Sequence, residues 1–317
     1  MGHRILTLAV ALACLAPARA QQLRHGIADA AFVVVAEPIG SSRAGEHLLA
    51  HRFRVVETLK GDVQGEFTVL ETTDVADAPL PELRGRRLAC LNPDRRKDLP
   101  AGGPYLRPTG YTGEQPLIDD GPAARQILEL VRTLITSEQG SEPAQVTATL
   151  VQLAQRGSGV AQREAIEVLR ERDILRSHID PIDVDAMLAR AVGETKDVDL
   201  KIALASLCAE RRGDGVVEAL CGALQQCQDE RFALALGRIA RHVHGEQSFT
   251  VLQRFHQQAR GPLRDTLLLA IGATRTEAAL DYLLDLRKQD GPTRAVDAAL
   301  RAHGSVRAID AVEPKKK

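Results

Sequence analysis

The apolar positions follow one rhythm before Pro143 and another after it. Ahead of Pro143 they favour strands. Ala31-Phe32-Val33-Val34-Val35-Ala36 is a β-branched run that reaches the turn signal Pro38-Ile39-Gly40. His51–Leu59 nearly alternates and stops at Lys60-Gly61-Asp62; Glu66–Thr72 alternates with Phe67, Val69 and Glu71 on one face; Arg87–Leu91 is shorter and closes at Asn92-Pro93. Short strands separated by turns predict a small sandwich or barrel. An amphipathic helix then opens at Gly121-Pro122, with Ile127, Leu128, Leu130, Val131, Leu134 and Ile135 on its apolar face. The polar stretch 138–143 reads as a linker.

Beyond Pro143 the period is close to 3.6 and the segments come in pairs. First helices are expected over Thr147–Gln155, Val184–Val192, Val216–Gln225, Ser248–Gln258 and Glu277–Lys288. Each second helix opens on a basic residue: Arg163, Lys201, Arg231, Arg264 and Arg294, at spacings of 38, 30, 33 and 30 residues. Two positions later sits a compact residue (Ala165, Ala203, Ala233, Thr266 or Val296), where neighbouring second helices are expected to meet. A helical pair cannot bury its apolar face alone, so pairs stack into a continuous core. In the last copy Asp297 takes an apolar position, as the polar outer side of a capping repeat would.

Two resemblances follow. Residues 143–306 resemble HEAT repeats, which implies an α-solenoid with an extended binding surface. Residues 28–135, through Ala28–Val34, Phe53–Gly61, Tyr111-Thr112-Gly113 and the closing helix 123–135, resemble the netrin-like or TIMP-like domain, which implies an OB-type barrel. Inhibitors of that type carry a Cys at the mature N-terminus. Here the mature chain is expected to start at Gln21, so the fold carries over and the inhibitory chemistry does not. The expected organisation is α+β in two domains: a signal peptide 1–20, a small barrel with its helix 21–137, a linker 138–143, a HEAT-like array 144–306 and a polar tail 307–317.

Composition sharpens this picture. Aromatics make up only 3% and Trp is absent, so Ala and Leu carry the 44% apolar content and favour closely packed helices. Arg4, the apolar run Ile5–Leu15 and Ala18-Arg19-Ala20 form a secretory signal, too short for the roughly 20 residues that span a bilayer. The expected location is the periplasm or the exterior. Removing residues 1–20 leaves 39 basic against 42 acidic side chains, a charge of −3 that does not favour nucleic acid.

Candidate chemistry is sparse. No G-x-S-x-G, H-E-x-x-H, Walker or Rossmann pattern occurs, and no cofactor or metal is expected. His47 and His51 have a helical zinc spacing, but Phe53 and Val55 put His51 in a strand, read as an exposed end. His242-Val243-His244 falls in an expected loop, with His256 in the following helix. Cys208 and Cys221 are a candidate disulfide across the turn at Arg212-Gly213; the alternative is that both are small core residues. Cys221 and Cys227 lie about 9 Å apart along a helix, too far to bridge. The five basic anchors are either a structural ladder braced by Asp199 and Asp229 or contacts for a ligand. The leading expectation is a non-enzymatic exported adaptor that binds another protein or peptide. The rivals are an inhibitor of an extracellular hydrolase acting through the barrel, and a non-catalytic subunit of an enzyme complex.

Overall fold

The computed structural model describes residues 23–73, 80–96, 99, 103–109, 118–212, 215–244 and 246–313. The expected signal, the Tyr111-Thr112-Gly113 segment and Gly213 lie outside them. The chain divides into two compact units between Val168 and Leu169. The polar stretch expected as a linker is a short turn between two helices, since α2 (Pro122–Glu138) ends where it begins and α3 (Pro143–Arg156) starts at its last residue.

The first unit is built on a mixed five-stranded sheet: β1 (Phe32–Gly45), β2 (Leu48–Lys60), β3 (Glu66–Thr72), β4 (Arg87–Pro93) and β5 (Tyr105–Pro108). The order β1-β2-β3-β5-β4 closes because β4 pairs back onto β1. Among the described residues only the β3–β5 pairing is parallel. The apolar run at the start of β1 is buried on both faces, with Val33, Val34, Val35 and Ala36 no more than 3% exposed. Pro38-Ile39-Gly40 does not turn the chain as the sequence led us to expect. It is a bulge within β1, because β4 stops pairing at Ala36 and the missing N–H of Pro38 therefore costs no hydrogen bond on that side. The hairpin turns instead at Glu46-His47.

The interior of the closed sheet holds Val34, Ala36, Phe53, Phe67, Ala89, Leu91 and Leu106, with the rings of Phe53 and Phe67 stacked at 5.4 Å between centroids. Helix α1 (Leu23–Asp29) and α2 are tied to the end of β2 by one side chain. Lys60 Nζ donates to Ile27 O at 2.8 Å and to Glu138 Oε2 at 2.9 Å. Gly61 follows at φ +79°, where a Cβ would sit 2.5 Å from Ala31 O, so only glycine lets β2 end here. Glu164, on α4 (Gly159–Glu171), forms a buried ion pair with Arg24 of α1 at 3.5 Å.

The second unit is helical: α5 (Asp173–Ser177), α6 (Pro181–Ala189), α7 (Val198–Arg212), α8 (Val216–Cys227), α9 (Glu230–His244), α10 (Glu246–Gln258), α11 (Pro262–Thr274), α12 (Glu277–Asp290), α13 (Arg294–His303) and α14 (Val306–Val312). The helices form two rows. Second helices α7, α9, α11 and α13 pack each on the next; first helices α8, α10, α12 and α14 do likewise. The chain stays helical to Val312, into the stretch expected as a tail, and α14 buries Ala308. Helix α9 likewise continues through the expected His242–His244 loop.

Helices α9, α11 and α13 meet through glycine. A Cβ on Gly237 of α9 would lie 2.1 Å from Ala270 O of α11, and one on Gly272 of α11 would lie 2.1 Å from Ala299 O of α13. Backbone thus approaches backbone directly, close enough for Cα–H···O contacts. The compact residues singled out in the sequence lie on these helices, yet the closest approach falls one to two turns later. No helix among the described residues is long and apolar enough to cross a membrane.

Candidate functional site

In a closed sheet, alternate residues of each strand face inward. Following that parity gives Phe53 then His51 on β2, Phe67, Val69 then Glu71 on β3, and Leu91, Ala89 then Arg87 on β4. On three strands the inward stripe therefore changes from apolar to polar at the same end. A cavity of about 160 Å³ lies there, lined by Ala36, Phe53, Phe67, Val69, Ala89 and Leu91 with His51, Glu71 and Arg87.

His51 is 4% exposed, not the exposed strand end expected from its neighbours, because its parity is that of Phe53 and not of Arg52. Its Nε2 lies 3.0 Å from Glu71 Oε2, and its Nδ1 lies 2.9 Å from the Oγ of Ser41, its cross-strand partner on β1. An ionised carboxylate only accepts, so Nε2 donates to Glu71, while Nδ1 shares a hydrogen bond with the Ser41 hydroxyl. Pro81 O, at 3.4 Å, is a second acceptor for that hydroxyl. The arrangement has the connectivity of a hydroxyl–base–carboxylate relay, and it fixes the imidazole at the cavity mouth. Arg87 is different. Its Nε is buried without an acceptor, and no ion pair holds its guanidinium among the described residues. His47 turns elsewhere, with Nδ1 3.1 Å from Thr73 O, so the two histidines do not converge.

The basic anchors of the helical pairs lie at the starts of α4, α7, α9, α11 and α13, in four different environments. Arg163 is exposed on α4. Lys201 is 4% exposed. Residues 190–194 widen into a π-turn closed by Thr195 N to Arg190 O, and Lys201 Nζ donates to Ala191 O at 3.1 Å and Val192 O at 3.3 Å there. Arg231 pairs with Asp199 at 3.2 Å and Asp229 at 3.7 Å, and Arg264 with Asp290 at 3.7 Å. Arg294 is exposed without an ion pair among the described residues. Asp297 is half-buried, and its carboxylate accepts from Arg287 Nε of α12 at 2.9 Å.

Further along the second helices lie bases that the repeat spacing did not mark. Arg238 and Arg241 on α9, Arg275 at the end of α11 and Arg301 on α13 are exposed and, like Arg294, have no ion pair among the described residues. Arg231 and Arg238 are seven residues apart, as are Arg294 and Arg301, so each pair shares a helix face two turns apart. The signal was readable as that i, i+7 recurrence.

Cys208 and Cys221 are not bridged. Cys208 Sγ donates to Val184 O at 3.6 Å, and both residues are fully buried. Burial pushes the Cys221 thiol up to about 12, with Glu218 acting in the same direction, so it does not supply a reactive thiolate. His256 is 1% exposed, 2.8 Å from the Tyr282 hydroxyl through Nδ1; burial, then the nearby Arg264 charge, lowers its pKa to about 4. Among the described residues no three His, Cys, Asp or Glu side chains group as metal ligands would. Compared with known proteins, the chain matches no family model, no curated protein and no solved structure.

Proposed function

We propose that this chain is an exported, non-enzymatic adaptor that holds an acidic segment of another protein against its row of second helices. The observation that carries the reading is the set of unbalanced bases on α9, α11 and α13: Arg238, Arg241, Arg275, Arg294 and Arg301 lack the carboxylates that Arg231 and Arg264 have. Glu230 and Asp265 on the same helices are also exposed without an ion pair among the described residues, but the five unpaired bases outnumber them, and an excess of one sign favours a partner of the other and steers its approach. The two helical rows support the HEAT-like reading, and the closed strand order followed by α2 supports the OB-type barrel. Export rests on the sequence of residues 1–20 alone.

Site-specific photo-crosslinking of the full chain in its exporting host tests the proposal. A crosslinker replacing Ala235 on α9 or Ala298 on α13, both half-exposed on the basic face, should capture a partner. Capture should fall at least about tenfold when Arg238→Glu and Arg301→Glu are combined, with the thermal midpoint unchanged. Crosslinks formed only from the closed sheet, at Ile39 or Val56, would overturn the reading in favour of recognition by the barrel.

A further inference from the structure

The cavity at the polar end of the closed sheet is not used by a partner held on the helices. Its floor is apolar and aromatic, with the Phe53–Phe67 stack at one side. A cavity of about 150 Å³ with such a lining admits a benzene-sized molecule, and this one is about 160 Å³. Its mouth carries one fixed cation, Arg87, and one imidazole, His51, already oriented by Ser41 and Glu71.

The orphaned Nε of Arg87 needs an explanation. A buried N–H without an acceptor costs on the order of 1–3 kcal/mol; other buried nitrogens of this chain also lack a hydrogen bond, but that of Arg87 belongs to a side chain lining the apolar cavity. Arg87 belongs to the inward stripe with Ala89 and Leu91, so the side chain lies at the cavity and not on the outer surface. Glu71, the carboxylate that shares the lining, accepts from His51 and does not pair with Arg87. An acceptor would satisfy this N–H, best an anion attached to an apolar body small enough for the cavity.

We propose that the closed sheet binds a small apolar monocarboxylate, with its ring or branched body on Phe53, Phe67 and Leu91 and its carboxylate on Arg87. A planar guanidinium meets a carboxylate in two parallel hydrogen bonds, which satisfies Nε and fixes the orientation of the ligand. Glu71 stands at the mouth as a negative charge kept occupied by His51, so a second acidic group on the ligand is rejected.

The test uses the full exported chain, titrated with benzoate, benzyl alcohol and acetate and followed by NMR and calorimetry. Benzoate should bind saturably below about 10 mM, with contacts to the Phe53 and Phe67 rings. Benzyl alcohol should bind at least about tenfold more weakly and acetate not at all, since one lacks the charge and the other the apolar body. Arg87→Met should reduce benzoate to the affinity of benzyl alcohol while leaving benzyl alcohol unchanged, which also reports that the variant is folded. Absence of saturable benzoate binding overturns the proposal. So does equal binding of benzoate and benzyl alcohol, or benzoate binding that survives Arg87→Met. If Arg87→Met does not fold, the ligand selectivity of the unmodified chain and its ring contacts decide the matter.

Discussion

The two units bury their polar groups by different rules. In the sheet unit a buried charge meets an opposite charge or an acid: Arg24 with Glu164, Asp94 with Arg96, His51 with Glu71. In the helical unit the fully buried bases meet neutral oxygens: Lys201 the carbonyls of the π-turn, His256 the Tyr282 hydroxyl, and His303 the carbonyl of Thr276 at 3.1 Å. The difference follows from the backbone. A closed sheet consumes its own N–H and C=O groups around the whole ring, so an inward side chain such as His51 is met by another side chain, while the Nε of Arg87 is left without an acceptor. Helix C-termini leave carbonyls over, and the buried Lys201 caps those of the π-turn.

The largest expected effect tests the first rule. Glu164→Ala removes the buried carboxylate 3.5 Å from the Arg24 guanidinium and should cost about 3–5 kcal/mol, read by denaturant unfolding of the sheet unit's transition. A loss below about 1 kcal/mol would mean that the pair contributes no more than an exposed one, and the contrast between the units would lose its strongest case.

Acid provides the next test. His256 keeps a folded pKa near 4 against an ordinary 6.5, so between those values the unfolded chain takes up a proton that the folded chain refuses. Stability therefore falls as pH drops from about 6.5 to 4, by about 3 kcal/mol in all. The opposing charge of Asp290 is the smaller influence beside burial and Arg264. In the sheet unit Asp94 is held below its ordinary 3.8, first by the Arg96 hydrogen bond, so its contribution persists until pH falls below that value. The helical unit should thus weaken first on acidification. His256→Gln should flatten that slope in pH-dependent unfolding; an unchanged slope would assign the acid response elsewhere.

Glycine gives the smallest effect and the cleanest control. Gly237→Ala must push α9 away from Ala270 O of α11 and should cost about 1–3 kcal/mol. Gly222→Ala in α8, with nothing within 4 Å of the new Cβ, should instead stabilise by about 0.5–1 kcal/mol. Equal changes in thermal unfolding would mean that helix propensity, and not close packing, governs both.

Much of this architecture was legible because it rests on period. The anchors from Lys201 to Arg294 open successive second helices because stacking enforces one phase. Period also showed Phe67, Val69 and Glu71 on one face, but one strand cannot reveal that His51 and Arg87 end their stripes beside it; only the ring closure does that. β5 escaped because it is four residues long and leans on β3 in parallel. Gly237 and Gly272 escaped for another reason: in sequence a helical glycine reads as a weak helix former, and its value appears only against the neighbouring carbonyl.

Those two glycine contacts have a mechanical consequence. Where carbonyl and Cα touch, no side chain remains to rotate or compress, so the second row resists a change in spacing from α9 to α13. Facing first helices are joined by long side chains such as Arg254 to Glu218 and Arg307 to Asp281, which can lengthen by changing rotamer. Strain on the helical unit should therefore open the first row like the fore-edge of a book whose spine is stitched at Gly237 and Gly272. Pulled at its ends, the unit would yield by fanning and recoil elastically, until the force exceeds what the stitched row can hold.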